Sequence, residues 1–127
     1  MKKIILVILV IFLVRINYSD DIKTSSPDNN IEILFKLNEK GEPLYSISYE
    51  GNVFLNWSML GLNFKESGML SSGLKITSIG RNIIDETFRI YSGKSKYSRN
   101  YCNETRISLE EKKAPFRKLD IYLRAYN

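Results

Sequence analysis

Apolar residues recur at every second position in several short segments, and this spacing constrains the fold more than any other feature. In residues Ile31 to Leu37 the odd positions are apolar, and the even positions are mostly polar. The same alternation occurs from Leu44 to Tyr49, from Asn103 to Glu111 and from Leu119 to Ala125. Such alternation is typical of half-buried β-strands, because successive side chains point to opposite faces of a sheet.

Turn-forming residues separate these segments at intervals of about ten residues. Asn38 to Pro43 joins the first two as a predicted hairpin. Further short strands are predicted over Val53 to Leu55, Leu60 to Phe64, Leu74 to Ser78 and Asp85 to Tyr91. We therefore predict an all-β fold, an antiparallel β-sandwich of about seven strands. The last strand reaches Tyr126 with no turn after it, so we expect the chain to stop within a fold.

The first residues have the pattern of an export signal. Lys2 and Lys3 precede an unbroken apolar run from Ile4 to Val14, which matches the charged and apolar regions of a signal peptide. We predict cleavage after Ser19, so that residues 1–19 are removed and the product is periplasmic or secreted. The run is short of the roughly 20 apolar residues that span a membrane. Membrane contact is therefore expected only through this segment, and an uncleaved anchor for a partner-binding domain is the alternative.

After the signal segment, residues 20–30 are mainly polar and predict a flexible leader. Folding is expected to begin near Asn30, with one domain over residues 31–127. Three of the 19 basic residues lie before Ser19, so the remaining 16 basic and 14 acidic residues leave a net charge of +2. The only basic cluster, Lys94, Lys96 and Arg99, predicts a solvated loop, and we expect no nucleic-acid partner.

The chain contains no histidine, which excludes Ser-His-Asp triads, Cys-His dyads and His-ligated metal sites. Cys102 is the single cysteine, and we expect it to be buried as a small hydrophobe. The adjacent carboxylates Asp85-Glu86 and Glu110-Glu111 point to opposite faces of a strand and cannot converge on one substrate bond. We expect them at strand ends or turns. No short Asp-rich loop suited to calcium is present, so no catalytic residue, metal ligand or cofactor is predicted in this chain.

Aromatic side chains are the remaining candidates for binding. Trp57 is the single tryptophan, and its ring could stack on a sugar, since an aromatic face offers a large apolar contact. Tyrosines at alternating positions, such as Tyr45 and Tyr49, are more often involved in cross-strand packing. Trp57 is thus the one carbohydrate-binding candidate, and a stand-alone exported carbohydrate-binding β module is one functional hypothesis.

Several strings occur in an order that points to a known family. They are Ser26-Pro27-Asp28, then Gly41-Glu42-Pro43-Leu44-Tyr45, then Ser58-Met59-Leu60-Gly61-Leu62. In this order they resemble the opening of glycoside hydrolase family 97, and the likeness continues to Leu123-Arg124-Ala125-Tyr126-Asn127. The chain departs from the family at Phe88 and Tyr91, where tryptophans are usual. The resemblance covers Ser26 to Asn127.

This resemblance implies the first part of a β-supersandwich N-terminal domain, which in the family packs against a catalytic (β/α)₈ barrel. Members are calcium-dependent, exo-acting α-glucosidases or α-galactosidases. The family's catalytic and calcium-binding glutamates lie beyond Asn127, so the resemblance assigns no catalytic or metal site here. It implies a non-catalytic, truncated domain that helps shape the active site of a barrel outside this chain, with calcium in the parent enzyme and an oligosaccharide as a possible further partner.

Overall fold

A computed structural model describes residues 21–127 of the chain. The predicted signal segment, residues 1–19, lies outside the described residues. The described part forms nine strands: β1 (Ile22–Ser25), β2 (Ile31–Leu37), β3 (Pro43–Tyr49), β4 (Asn52–Met59), β5 (Leu62–Phe64), β6 (Gly68–Leu70), β7 (Leu74–Arg89), β8 (Tyr97–Glu111) and β9 (Lys118–Tyr126). No helix there is long and apolar enough to cross a membrane. The all-β prediction is confirmed.

The strands form three antiparallel sheets. The first sheet has the order β1-β2-β3-β4, the second is the β5-β6 hairpin, and the third has the order β7-β8-β9. Within each sheet consecutive strands are neighbours, which is the topology of a meander. The predicted hairpin between β2 and β3 is present, with Phe35 opposite Tyr45 and Leu37 opposite Pro43.

The core lies between the first and third sheets. Its fully or nearly fully buried members are Ile22, Phe35, Leu70, Leu74, Ile107, Leu109 and Leu123. Most of these residues occupy the inward positions that the sequence alternation predicts, and Phe35 and Ile107 are completely buried. The antiparallel sandwich is therefore organised as expected, with β1 and β2 on one side of the core and β8 and β9 on the other.

The predicted flexible leader, residues 20–30, is wrong over residues 22–25, which form β1. Ile22 and Thr24 are buried against the third sheet, and β1 pairs in register with β2. Ser26 is completely buried, and its hydroxyl accepts a hydrogen bond from the Ile31 backbone N–H at 2.9 Å. The three inward-facing residues are Ile22, Thr24 and Ser26, and two of them carry hydroxyl groups. The alternation in this segment is therefore not visible as an apolar pattern.

The predicted division of residues 74–91 into two strands is also wrong. β7 is one strand of 16 residues with a bulge between Ile76 and Ser78. Beyond the bulge it is an edge strand, and nearly all of its side chains are exposed. An exposed strand needs no alternation of apolar residues, because its extended state comes from backbone pairing with β8.

Two strands of the third sheet, β7 and β8, extend beyond the first sheet that covers the core. β9 pairs with residues 102–110 of β8, whereas β7 and β8 continue past this point as a two-stranded ribbon of residues 85–89 and 97–101. This ribbon, with its connecting residues 90–96, exposes Phe88, Tyr91 and Tyr97. The first sheet covers only the opposite end of the β7-β8 pair.

Candidate functional site

Trp57 lies on β4 and is half-buried. The Lys36 ammonium nitrogen lies 3.8 Å from the centroid of the Trp57 ring, at the distance of a cation–π contact. Lys36 is on β2, and it points away from the core because its neighbour Phe35 points inward. One face of the indole is therefore occupied, and a sugar that stacked there would have to displace the ammonium. The assignment of Trp57 as a carbohydrate contact stays a prediction.

The other aromatic candidates are mixed in their exposure. Tyr45 is half-buried, and Tyr49 is exposed at the end of β3 beside the turn that contains Glu50. The negative charge of Glu50, together with a hydrogen bond between the two side chains, raises the pKa of the Tyr49 hydroxyl above its usual value. The Tyr49 hydroxyl is therefore engaged by Glu50 at the protein surface.

Asp85 lies within β7, not at a strand end as expected. Arg99 binds it in a two-pronged ion pair, with Nε at 2.7 Å from Oδ1 and Nη2 at 2.8 Å from Oδ2. These hydrogen bonds lower the pKa of the Asp85 carboxyl. Arg99 is part of β8 and not of the loop that holds Lys94 and Lys96, so the predicted basic cluster does not form a continuous solvated loop.

Glu111 ends β8, as expected for a strand-end charge. Its carboxylate receives the Nε, Nη2 and backbone N–H groups of Arg117 at 3.0, 2.7 and 2.8 Å. The Arg117 guanidinium also donates to the backbone oxygens of Ser67 and Met69, both at 2.9 Å. This pair therefore ties the β5-β6 hairpin to the third sheet. Both predicted carboxylate pairs thus have one member held in an ion pair with arginine.

No metal-binding site is evident in residues 21–127. No group of three or more His, Cys, Asp or Glu residues within that range is placed to hold a metal ion. Cys102 is completely buried, in register between Ile84 on β7 and Tyr126 on β9. Its burial confirms the expectation of a small hydrophobe and removes the thiol from solvent.

One concavity in the described structure was not anticipated from the sequence. It is an open cleft of about 640 Å³ lined by residues 23–25 of β1, 81–83 of β7 and 103–105 of β8, and we call it the β1–β7 cleft. At its inner end the Thr24 hydroxyl donates a buried hydrogen bond of 2.7 Å to the Thr105 hydroxyl. The Asn103 side-chain amide donates to the Ser25 backbone oxygen at 2.8 Å.

The rim of the β1–β7 cleft carries charged groups of both signs. Lys23 forms an ion pair with Glu32, and Glu104 forms one of 2.6 Å with Arg124. Arg81 is exposed on the same face. The cleft is lined by residues from three segments, of which the first and the last lie some 80 positions apart. Only the tertiary structure brings them together, so no local motif could have revealed the cleft.

The chain is similar in sequence and in fold to known proteins. The family model described as "Glycosyl-hydrolase 97 N-terminal" matches residues 24–127. A glycoside hydrolase family 97 enzyme from Pseudoalteromonas sp. strain K8, solved in complex with panose, is similar with a TM-score of 0.76 and 24% identity over 84% of this chain. The same enzyme solved with acarbose gives the same values. A β-arabinopyranosidase matches with a TM-score of 0.73 and 25% identity over 84% of this chain. The match spans only 16% of the first enzyme and 17% of the last.

Proposed function

Because the chain belongs to the glycosyl-hydrolase 97 N-terminal family, we propose that it forms the opening, non-catalytic part of an exported glycoside hydrolase and packs against a catalytic barrel outside this chain. The observation that carries this proposal is the family match, which extends over residues 24–127. The parent activity that we propose is that of a calcium-dependent α-glucosidase or α-galactosidase. The panose and acarbose bound to the solved relative are consistent with an oligosaccharide substrate.

The exposed surface supports a packing role. Large apolar side chains are exposed on β4, on the β7-β8 pair and on the loop that connects β7 to β8, among them Phe54, Ile83, Phe88, Tyr91 and Tyr97. Exposed apolar surface concentrated in this way marks contact sites with other protein. A catalytic domain and the rest of the N-terminal domain would cover it and keep the β-sandwich in place beside the active site.

The carboxylates support a non-catalytic role. A glycosidase needs two carboxyl groups roughly 5 to 9.5 Å apart across a substrate-binding space. Asp85 and Glu111 are each held by an arginine through two-pronged hydrogen bonds, which lower the pKa of both carboxyls. A general acid needs a raised pKa at neutral pH, so neither group is suited to protonate a leaving oxygen.

Reconstitution tests the proposal. The chain is mixed with the remainder of the Pseudoalteromonas enzyme, produced without the segment that this chain matches, and co-elution is followed by size-exclusion chromatography. Hydrolysis of p-nitrophenyl α-glucoside and α-galactoside is measured with and without calcium. We expect no hydrolysis by the chain alone, and co-elution with the remainder. Calcium-stimulated hydrolysis by the purified chain alone, or failure to co-elute, would contradict the proposal.

A further inference from the structure

One edge of the first sheet is open, and it faces the β1–β7 cleft. β1 is the outermost strand of that sheet, with β2 on one side and no described strand on the other. The Ser26 N–H donates to the Ile31 oxygen of β2 at 2.8 Å. In an antiparallel pair, the backbone groups of alternate residues point to the same neighbour. Ile22, Thr24 and Ser26 therefore bond to β2, whereas the backbone groups of Lys23 and Ser25 point toward the cleft.

A side chain already occupies part of this edge. The Ser25 oxygen accepts the Asn103 side-chain amide at 2.8 Å, which is the bond that the backbone N–H of a further strand would make. Among residues 21–127 no strand pairs with the side of β1 that carries the N–H groups of Lys23 and Ser25 and the oxygen of Lys23. They are spaced as the donors and acceptor of a strand edge, which is a template for another extended chain.

The floor of the cleft is a stretch of inner sheet surface without a covering layer. Ile83 lies directly opposite Asn103, and Arg81 lies opposite the inward-facing Thr105. Residues two apart on a strand share a face, so Arg81, Ile83 and Asn103 continue the surface that forms the core farther along. Ile83 is nonetheless 66% exposed. A strand added beside β1 would lie over Ile83 and extend the sandwich by one strand width.

We propose that the β1–β7 cleft receives an extended polypeptide strand from the part of a family 97 enzyme that lies outside this chain, hydrogen-bonded to Lys23 and Ser25 of β1. This inference rests on the proposed function. β1 has four residues, and a strand rises about 3.3 Å per residue, so an incoming segment of four to six residues matches it. The segment carries an apolar residue over Ile83 and an acidic residue near Arg81, because Lys23 is already paired with Glu32.

The chemistry of the cleft favours a strand from the parent enzyme over other occupants. No aromatic residue lines the cleft, so it offers no ring on which a sugar could stack. A second copy of the chain pairing β1 with β1 would bring the Arg81 side chains of both copies to one interface, and like charges at an interface oppose association. The match spans 16% of the solved Pseudoalteromonas enzyme, so that enzyme has a large remainder that could supply the strand.

Peptide binding tests the inference. Synthetic eight-residue peptides that tile the remainder of the Pseudoalteromonas enzyme are added, at up to about millimolar concentration, to the ¹⁵N-labelled chain. Amide shifts and hydrogen exchange are followed by NMR. We expect a peptide with alternating apolar residues to shift the amides of Lys23, Ser25 and Ile83 and to slow exchange at Lys23 and Ser25 by about tenfold. Ile83→Asp should weaken this binding about tenfold or more.

Phe54→Asp is the matched control, because Phe54 is 83% exposed on the edge strand β4, which does not line the cleft. It should leave the binding unchanged. Three results would overturn the inference: no peptide binds, binding is equally sensitive to both variants, or the Lys23 and Ser25 amides are already protected in the free chain. The third result would assign the edge to a second copy if protection rose with concentration, and otherwise to the chain's own residues 1–20.

The reconstitution experiment separates this inference from the proposed function. If the chain co-elutes with the remainder of the enzyme and Ile83→Asp co-elutes equally well, the proposed function stands and the strand site is wrong. If the unchanged chain does not co-elute, the proposed function itself fails.

Discussion

Thr24 and Thr105 lie 81 positions apart in the sequence, and their hydroxyl groups form a 2.7 Å hydrogen bond in the buried space between β1 and β8. Both residues are nearly fully buried. This bond fixes the first strand of one sheet to the central strand of the other. It also sets the inner end of the β1–β7 cleft, so the position of the cleft depends on it.

Replacing either threonine alone should therefore destabilise the fold. Thr24→Val or Thr105→Val leaves one buried hydroxyl without a partner, which costs about 1–3 kcal/mol. The double variant removes both hydroxyls and should cost less than the sum of the single variants. Urea unfolding of all four proteins measures this. Strictly additive losses would mean that the two hydroxyls are independent.

Gly41→Ala should be strongly destabilising. Gly41 has a φ of 70°, and an added Cβ would lie 2.6 Å from both the backbone N and O of Leu74. Left-handed backbone strain costs about 1–2 kcal/mol, and the backbone clash adds to it. Gly51→Ala is the control, because Gly51 has a φ of 78° and no atom within 4 Å of an added Cβ. Denaturant midpoints should fall further for Gly41→Ala, and equal losses would contradict close packing of the turn on Leu74.

Acid should weaken the fold partly through Glu111. Hydrogen bonds from Arg117 lower the pKa of this carboxyl from its usual value of 4.5. A carboxyl whose pKa is lower in the folded state contributes stability above its unfolded pKa, and that contribution is lost as the pH falls through the folded pKa.

The urea midpoint of the unchanged protein should therefore fall more steeply below about pH 4.5 than that of Glu111→Gln. Glu66→Gln, which removes an exposed carboxylate on the turn between β5 and β6, controls for the loss of one negative charge. Parallel pH profiles for the unchanged protein and Glu111→Gln would show that the ion pair is not formed in solution.

Maltooligosaccharides should produce no saturable change in Trp57 fluorescence at millimolar concentration. The Lys36 ammonium lies over the indole ring at 3.8 Å, and a sugar that stacked on this face would have to displace it. Lys36→Ala should change the emission of Trp57, because it removes the charge above the ring. A saturable response in the unchanged protein would instead favour the stand-alone carbohydrate-binding module.

The predictable part of the fold is the part with apolar alternation. Phe35, Ile107, Leu109 and Leu123 are inward positions that the pattern marks, and all four are buried. β1 was missed because Thr24 and Ser26 are polar, and their burial is possible only through hydrogen bonds that the folded structure supplies. The middle of β7 was missed because its side chains are exposed and carry no pattern.

The site features depend even more on tertiary structure. Trp57 could be selected from the sequence as the single tryptophan, but its contact with Lys36 on another strand could not. The β1–β7 cleft joins Ser25, Ile83 and Asn103 from three distant segments. The cleft exists because β1 is much shorter than β7. The alternation of apolar residues is a poor guide to the length of an exposed edge strand, so the cleft could not be predicted from it.

The strand edges determine where self-association of the isolated chain is expected. Among the described residues β9 is an outer strand of the third sheet, so its backbone edge is open as expected, although its inward side chains Leu123 and Ala125 are buried. β4 and β7 are more exposed, with Phe54 and Ile83 uncovered. We expect the isolated chain to be marginally stable and prone to associate. Size-exclusion chromatography with thermal melting checks this, and a monodisperse monomer melting above about 60 °C would contradict it.

The DNA that follows the codon for Asn127 tests the central claim most directly. The proposed function predicts a frame, continuous with this one or beside it, that encodes the rest of a family 97 N-terminal domain and a catalytic barrel. A genome that encodes no such catalytic region would contradict it.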